Sequence, residues 1–214
     1  MEIAMHLFDT ATLLAYLAAA AVLVLLPGPG TAWIVAQTIA GGTARGVRAG
    51  FGLETATLIH ALAAGLGLSA VLATSALAFQ AIKYAGAVYL IWLGIKAWRE
   101  RSVDAAAETL PAPVRNVYWR SVVTGVLNPK VALFFLAFLP QFVHPERGLV
   151  WLQFLVLGVL LSLIGMSHST MIAFAIGRFG RHLSVSARLA RWRQRAIGGL
   201  FVGLGVRLAL QQRG

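Results

Sequence analysis

The stretch Thr10–Ala44, TATLLAYLAAAAVLVLLPGPGTAWIVAQTIAGGTA, carries no charged residue, and its reading decides the fold class. A helix that crosses a bilayer needs roughly 20 predominantly apolar residues. This run is long enough for one span plus an interfacial segment. Its middle is broken by Pro27-Gly28-Pro29-Gly30. Each proline lacks a backbone N–H and clashes with the carbonyl four residues back, at Leu23 and Leu25.

Further apolar runs follow. Thr55–Ile82 is uncharged and preceded by Glu54; Tyr84–Ile95 is short, but Lys83 and Lys96 can snorkel and extend it to about Ile82–Trp98. Ser121–Val143 is apolar apart from Lys130, Gly148–Gly177 is uncharged, and Ala196–Leu210 holds only Arg207. The expected fold is an all-α integral membrane protein of six transmembrane helices. Composition agrees: of 214 residues 59% are hydrophobic and only 12% charged, about half the charged share of soluble domains. That excludes a soluble enzyme, a disordered chain and a nucleic-acid-binding module. With no cysteine there is no disulfide framework or thiolate metal site. Glu2 and Asp9 near the N-terminus, without Lys or Arg, do not make the basic start of a signal peptide, so the first stretch is read as a permanent span.

The net charge of +11 follows membrane topology. Most of the 18 basic residues fall in three alternate connections: Arg45 and Arg48; Lys96, Arg99, Arg101, Arg115 and Arg120; and the run from Arg178 to Arg195. Lys83, Arg147, Arg207 and Arg213 lie opposite. The positive-inside rule then puts both termini outside the cytoplasm. The Arg188–Arg195 cluster reads as a topology signal lying against anionic lipid.

Residues 99–120, with Pro111 and Pro113, form the one long polar connection and divide the chain into a first three-helix repeat (1–98) and a second (121–214). Leu93-Gly94-Ile95-Lys96 is echoed by Leu204-Gly205-Val206-Arg207, and Pro27 by Pro129. Repeats with an odd number of spans must be inverted, with helices 1 and 4 broken at their Pro-containing motifs. Transporters often use this plan and place substrate where the broken helices meet.

The residues that could carry chemistry gather at those breaks. Unpaired peptide groups in hydrocarbon cost several kcal/mol each, so a break survives only against protein or a wet cavity. Pro27, Gly28, Pro29 and Gly30 are therefore candidate substrate ligands through their backbone. Asn128, Pro129 and Lys130 bring together a carboxamide, a freed Gly125 carbonyl and an ammonium. A lysine near the middle of a bilayer costs about 2.5–3.5 kcal/mol on insertion scales, so its default reading is functional. Glu54 could hold a cation or carry a proton, and it also suits a helix N-terminus. Glu54 and His60 point about 120° apart and are not a pair. His60 reads as a packed polar residue. His168, between Ser167 and Ser169, is a second proton-coupling candidate.

The stripes Gly158-Ser162-Gly165-Ser169 and Ala61-Gly65-Ser69, and the pair Gly199 and Gly203, read as packing surfaces that also permit a homodimer. Trp33, Trp92, Trp98, Trp119 and Trp151 read as interfacial aromatics. No P-loop, HExxH or GxSxG is present, and no cluster has metal-ligand spacing, so no enzyme, cofactor or metal is expected.

Four segments in this order resemble one family, the LysE/RhtB amino-acid exporters. They are Pro27–Gly30; Gly46-Val47-Arg48-Ala49-Gly50-Phe51-Gly52; Lys83-Tyr84-Ala85-Gly86-Ala87-Val88-Tyr89-Leu90; and Asn128-Pro129-Lys130 leading to Phe138-Leu139-Pro140-Gln141-Phe142. The resemblance spans nearly the whole chain. It implies export of amino acids or related small metabolites across the bacterial inner membrane, driven by the proton motive force. Members similar to the basic-amino-acid exporters carry His where Lys130 stands, with an Asp soon after. This chain looks closer to the branch handling homoserine, threonine and other neutral amino acids. Its departures are Gly30, where many members place Asn, and Ala56, where the second span often has Gly.

Physics is compatible with that expectation. Lys130 and Asn128 would hold a substrate carboxylate, while Glu54 and the carbonyls freed near Pro27 receive the ammonium. The Lys130 charge favours a zwitterion over a cation. A passive pore would need a ring-forming selectivity motif, and a metal-ion exporter of similar architecture would need several carboxylates or histidines in the spans. A structural subunit would need neither Lys130 nor the paired breaks.

Overall fold

The computed structural model describes residues 7–74 and 116–179, with isolated helical positions between 81 and 95 and between 195 and 210. All regular structure among the described residues is helical. Most of the third and sixth expected spans, of the linker, of the Lys83–Leu90 motif and of the Arg188–Arg195 cluster lies outside the described residues.

Helix α1 runs Thr10–Leu25. Asp9 starts it: its carboxylate accepts from the Thr12 N–H at 2.7 Å and from the Thr12 hydroxyl at 3.1 Å, pairing backbone groups that a helix N-terminus leaves open. The Thr12 N–H, then its hydroxyl, hold the Asp9 carboxyl below its ordinary range, and Arg147 and His144 add to the effect. Arg147 lies 3.6 Å from Asp9 and His144 lies 3.3 Å from the Thr12 hydroxyl, which ties the loop 143–149 to the start of α1. The helix stops where the sequence predicts, with Leu26 extended ahead of Pro27.

The next helical run, α2, is Pro29–Thr74, with proline at its first position, where the missing N–H costs nothing. Gly41 and Gly42 leave helical geometry, and Gly42 takes φ 77°, which a β-carbon disfavours. The run is therefore two arms, 29–40 and 43–74. This revises the expected boundaries. Arg45, Arg48 and the segment Gly46–Gly52 lie on a helix, not in a connection. The reason is packing, because Gly46, Gly50, Gly52 and Gly65 bring the second arm close to its neighbours.

Helix α3, Val117–Val126, begins within the stretch read as linker, after Asn116 in a left-handed conformation. Asn128 caps α4, Pro129–Leu133, by accepting from the Lys130 N–H at 3.1 Å. The chain continues as a π-helix, Phe134–Phe138, and a 3-10 turn, Leu139–Phe142. Pro140 cannot donate to the ladder, which fits this change of winding. Helix α5, Val150–Phe179, runs unbroken for 30 residues.

Pro29–Gly67 and Val150–Phe179 are each long and apolar enough to cross a membrane, and Val117–Val126 with Pro129–Phe142, bent by 47°, forms a third candidate span. Tyr16, fully buried, donates to the Leu157 carbonyl and packs edge-on against Phe142. Around them Leu23, Leu26, Phe134, Phe135, Phe138, Phe154 and Leu161 form the main apolar core. Leu163, Met171 and Phe174 face outward on α5, with Met171 71% exposed. An apolar face open to this extent suits lipid and not water.

Two of the three small-residue surfaces interlock at their described glycines, whereas Gly203, of the third, has no described neighbour within 4 Å of where a β-carbon would stand. A β-carbon on Gly158 would strike Ala61, one on Gly50 would come within 3.0 Å of Ser169, and one on Gly65 within 3.0 Å of the Trp151 carbonyl. Trp33 departs from the interfacial expectation: its indole N–H donates to the Ser121 hydroxyl at 2.7 Å, joining the arm 29–40 to α3. An indole with a buried partner serves packing instead of marking an interface. Trp92, Trp119 and Trp151 are exposed.

Candidate functional site

The two helix breaks meet. Pro27 has no N–H to give the Leu23 carbonyl, and Leu26 is extended, so these carbonyls turn away from α1. The Lys130 ammonium, from the second break, donates to Leu23 at 2.7 Å and to Leu26 at 2.6 Å. The expected open pair was Leu23 and Leu25; the structure uses Leu26 because the chain becomes extended there. Gly28 lies beside the same side chain, and a β-carbon on it would sit 3.4 Å from the Lys130 Cδ.

The second break is satisfied in the same way from elsewhere. Pro129 strands the Gly125 carbonyl, which accepts from the Asn128 N–H at 3.1 Å. The His60 Nε2 lies 3.4 Å from the same oxygen, and its ring stacks on Phe135 at 5.9 Å. His60 is thus a packed polar residue, as read from the sequence, with a partner that spacing along α2 could not reveal.

Between the breaks and α5 lies a cavity of about 90 Å³, room for several waters. Gly28, Gly30, Glu54, Asn128, Lys130 and His168 line it, together with Thr31, Leu53, Thr57, Gly165 and Ser169. The structure therefore brings together Gly28, Gly30, Glu54, Asn128, Lys130 and His168 from the expected set. Pro27, Pro29 and Pro129 shape the cavity through the backbone, and all three are exposed. The carboxamide oxygen of Asn128 is committed to the α4 cap, while its Nδ2 faces Gly30, 3.9 Å from where a β-carbon would stand. An asparagine at position 30 would extend toward that amide, so Gly30 leaves room there.

Glu54 points to α5. The Ser162 and Thr57 hydroxyls lie beside its carboxylate, which rests where Gly165 has no side chain, while the Thr57 hydroxyl donates to the Leu53 carbonyl at 3.2 Å. The expected cluster around His168 separates. Ser169 shares the cavity, whereas Ser167 is exposed and donates back to the Leu163 carbonyl at 2.8 Å. Thr31 and Ser162 went unrecognised in the sequence. For Ser162 the signal was present, since it stands three residues before Gly165 on one helical face.

The arrangement offers a cationic donor, a carboxylate, an amide and backbone carbonyls around one small cavity within apolar helices. Among the described residues no three His, Cys, Asp or Glu are grouped to hold a metal ion.

Comparison with known proteins places the chain in a family. The sequence profile of the LysE type translocator family matches residues 21–212. An uncharacterised membrane protein of Vibrio cholerae is 38% identical over 200 residues, covering 92% of this chain and 95% of its own length. A leucine efflux protein of Enterobacter is 32% identical, covering 91% of this chain and 93% of its own length. A homoserine/homoserine lactone efflux protein of Salmonella typhimurium is also 32% identical, covering 91% and 94%. No solved structure matches the chain. With a family profile matched across nearly its whole length, this integral membrane protein belongs to the LysE type translocator family.

Proposed function

We propose that the protein is a secondary transporter that exports neutral amino acids or related small metabolites from the bacterial cytoplasm in exchange for protons. The observation that carries this reading is the contact of Lys130 with the Leu23 and Leu26 carbonyls, which joins two proline-broken helices at one cavity. Discontinuous helices meeting at a cavity are how many secondary transporters present charged and dipolar ligands to a substrate. The efflux proteins among its relatives support the same direction and suggest leucine and homoserine as first substrates to test.

In this reading the six spans form two inverted three-helix repeats with both termini outside. Lys130 and the Asn128 amide bind the substrate carboxylate. Glu54 and backbone carbonyls near Pro27 bind the ammonium. Glu54 and His168, which line the same cavity, are the groups able to carry a proton. Export of a zwitterion moves no net charge, whereas a cation would cost about 2.3 kcal/mol per 100 mV of membrane potential.

The test loads cells with labelled dipeptides and follows the amino acids that leave. Overexpression is expected to speed export of one or more neutral amino acids, and collapse of ΔpH to slow it. Export that ignores ΔpH would indicate a passive pore, and no change in any amino acid would end the reading.

A further inference from the structure

The Lys130 ammonium already occupies the carbonyl pair on which the reading above seats the substrate ammonium. We propose that Lys130 is a tethered stand-in for the substrate's own ammonium, and that the site accepts only molecules that carry an ammonium and a carboxylate together. The inference rests on the transport reading and deepens it by naming what the site selects.

The argument is one of satisfied groups. The Leu23 and Leu26 carbonyls belong to a broken helix inside an apolar core, with Leu23 4% and Leu26 5% exposed, and they need a donor at all times. Lys130 supplies it when the cavity holds no substrate. A plain amine that took the carbonyls would release Lys130 with no anion to meet it, leaving a buried charge unpaired. A plain carboxylate that drew Lys130 away would leave two carbonyls unmet. An amino acid corrects both faults at once, because its ammonium replaces Lys130 on the carbonyls and its carboxylate receives Lys130. Selection thus comes from the penalty on half-matched ligands.

The surroundings permit such a swing. Lys130 is a flexible four-carbon stem on α4, and the neighbouring Gly28 has no side chain to block it. The Asn128 amide lines the same cavity, on the residue two before Lys130. The carboxylate of Glu54, beside Ser162 and Thr57, lines the same cavity and provides a second anchor for the incoming ammonium.

The test uses the purified full chain in lipid nanodiscs and titration calorimetry with leucine, 3-methylbutylamine and 4-methylpentanoate. These probes share one side chain and differ only in the charged groups. Wild type is expected to bind leucine roughly tenfold or more tighter than either single-charge probe. Lys130→Met vacates the carbonyls, so it is expected to gain roughly tenfold in affinity for 3-methylbutylamine and to lose its preference for leucine. Equal amine affinity in the two proteins, or a leucine preference kept by Lys130→Met, overturns the proposal.

A second measurement leaves Lys130 in place. The natural sequence has no cysteine, so Gly28→Cys introduces a single thiol beside the Lys130 stem. Leucine is expected to change the maleimide labelling rate of that thiol severalfold, and 3-methylbutylamine to leave it unchanged. The same response to both probes overturns the proposal. Export from dipeptide-loaded cells separates the two levels: amino-acid export without the amine gain removes the stand-in alone. The amine gain in a protein that exports no amino acid removes the transport reading and keeps the ammonium site.

Discussion

The Lys130 nitrogen lies 2.6 Å from the carbonyl oxygen of Leu26, a residue 104 positions earlier in the chain. One side chain therefore closes the helix break of the first half from within the break of the second. Lys130→Met is expected to abolish amino-acid export, because no cation remains for a substrate carboxylate. It should also lower stability by about 1.5–3 kcal/mol, the range for hydrogen bonds to a charged group. Export from dipeptide-loaded cells and thermal melting in detergent check the two parts, with membrane insertion verified by fractionation.

Gly165 gives Glu54 its place, since a β-carbon there would collide with the carboxylate. A carboxylate ends a flexible side chain and can move aside, so Gly165→Ala should fold with a stability change within about 1 kcal/mol. Export should nevertheless fall, because Glu54 is pushed from its place over Gly165 at the cavity. Full export activity in Gly165→Ala would show that the position of Glu54 is immaterial.

Gly52 is the contrasting case. A β-carbon on it would meet the Tyr118 backbone carbonyl and come within 2.6 Å of the Ser121 β-carbon. Backbone cannot step aside, so the second arm of α2 must separate from α3. Gly52→Ala is expected to destabilise the fold by about 1–3 kcal/mol. Gly67→Ala, with nothing within 4 Å, should change the melting temperature little. Paired melting curves of the two variants make the comparison.

Tyr16→Phe keeps the ring that packs on Phe142 and removes only the hydroxyl that donates to Leu157. The expected cost is about 1 kcal/mol, with export retained. A loss of export at unchanged stability would give Tyr16 a role beyond joining α1 to α5.

Asp9 carries a pH signature. Its carboxyl is held below the ordinary value of 3.8 in the folded protein, so the folded state favours the ionised form. The stabilisation is present above the unfolded value and fades as pH falls through the lower folded value. Asp9→Asn should therefore lower the melting temperature at pH 7, and the gap to wild type should close below about pH 4. An unchanged gap at acid pH would show that the carboxylate charge plays no part.

The membrane class was legible because apolar runs such as Thr10–Ala44 and Gly148–Gly177 leave a helix no watery surface to face. Both breaks were legible because proline cannot donate a backbone hydrogen bond. The extent of α2 was not, since Arg45 and Arg48 read as a connection, while helix continuation depended on what Gly46, Gly50 and Gly52 pack against. Trp33 was misread for the same reason: an indole near a span end has the same sequence signature whether it meets lipid headgroups or Ser121.

At the site, the residue types were fixed by composition and local chemistry: a cation at Lys130, a carboxylate at Glu54, and stranded carbonyls behind Pro27 and Pro129. The partners were decided only in three dimensions. That Lys130 serves Leu23 and Leu26, that His60 reaches Gly125, and that Glu54 turns to Ser162 over Gly165 are contacts between separate helices. Periodicity along one helix sets which face a side chain shares; it contains no term for the rotation and depth of the neighbour. Those are set by interlocking small residues and core aromatics, and the tertiary packing thereby chose which polar group answers which break.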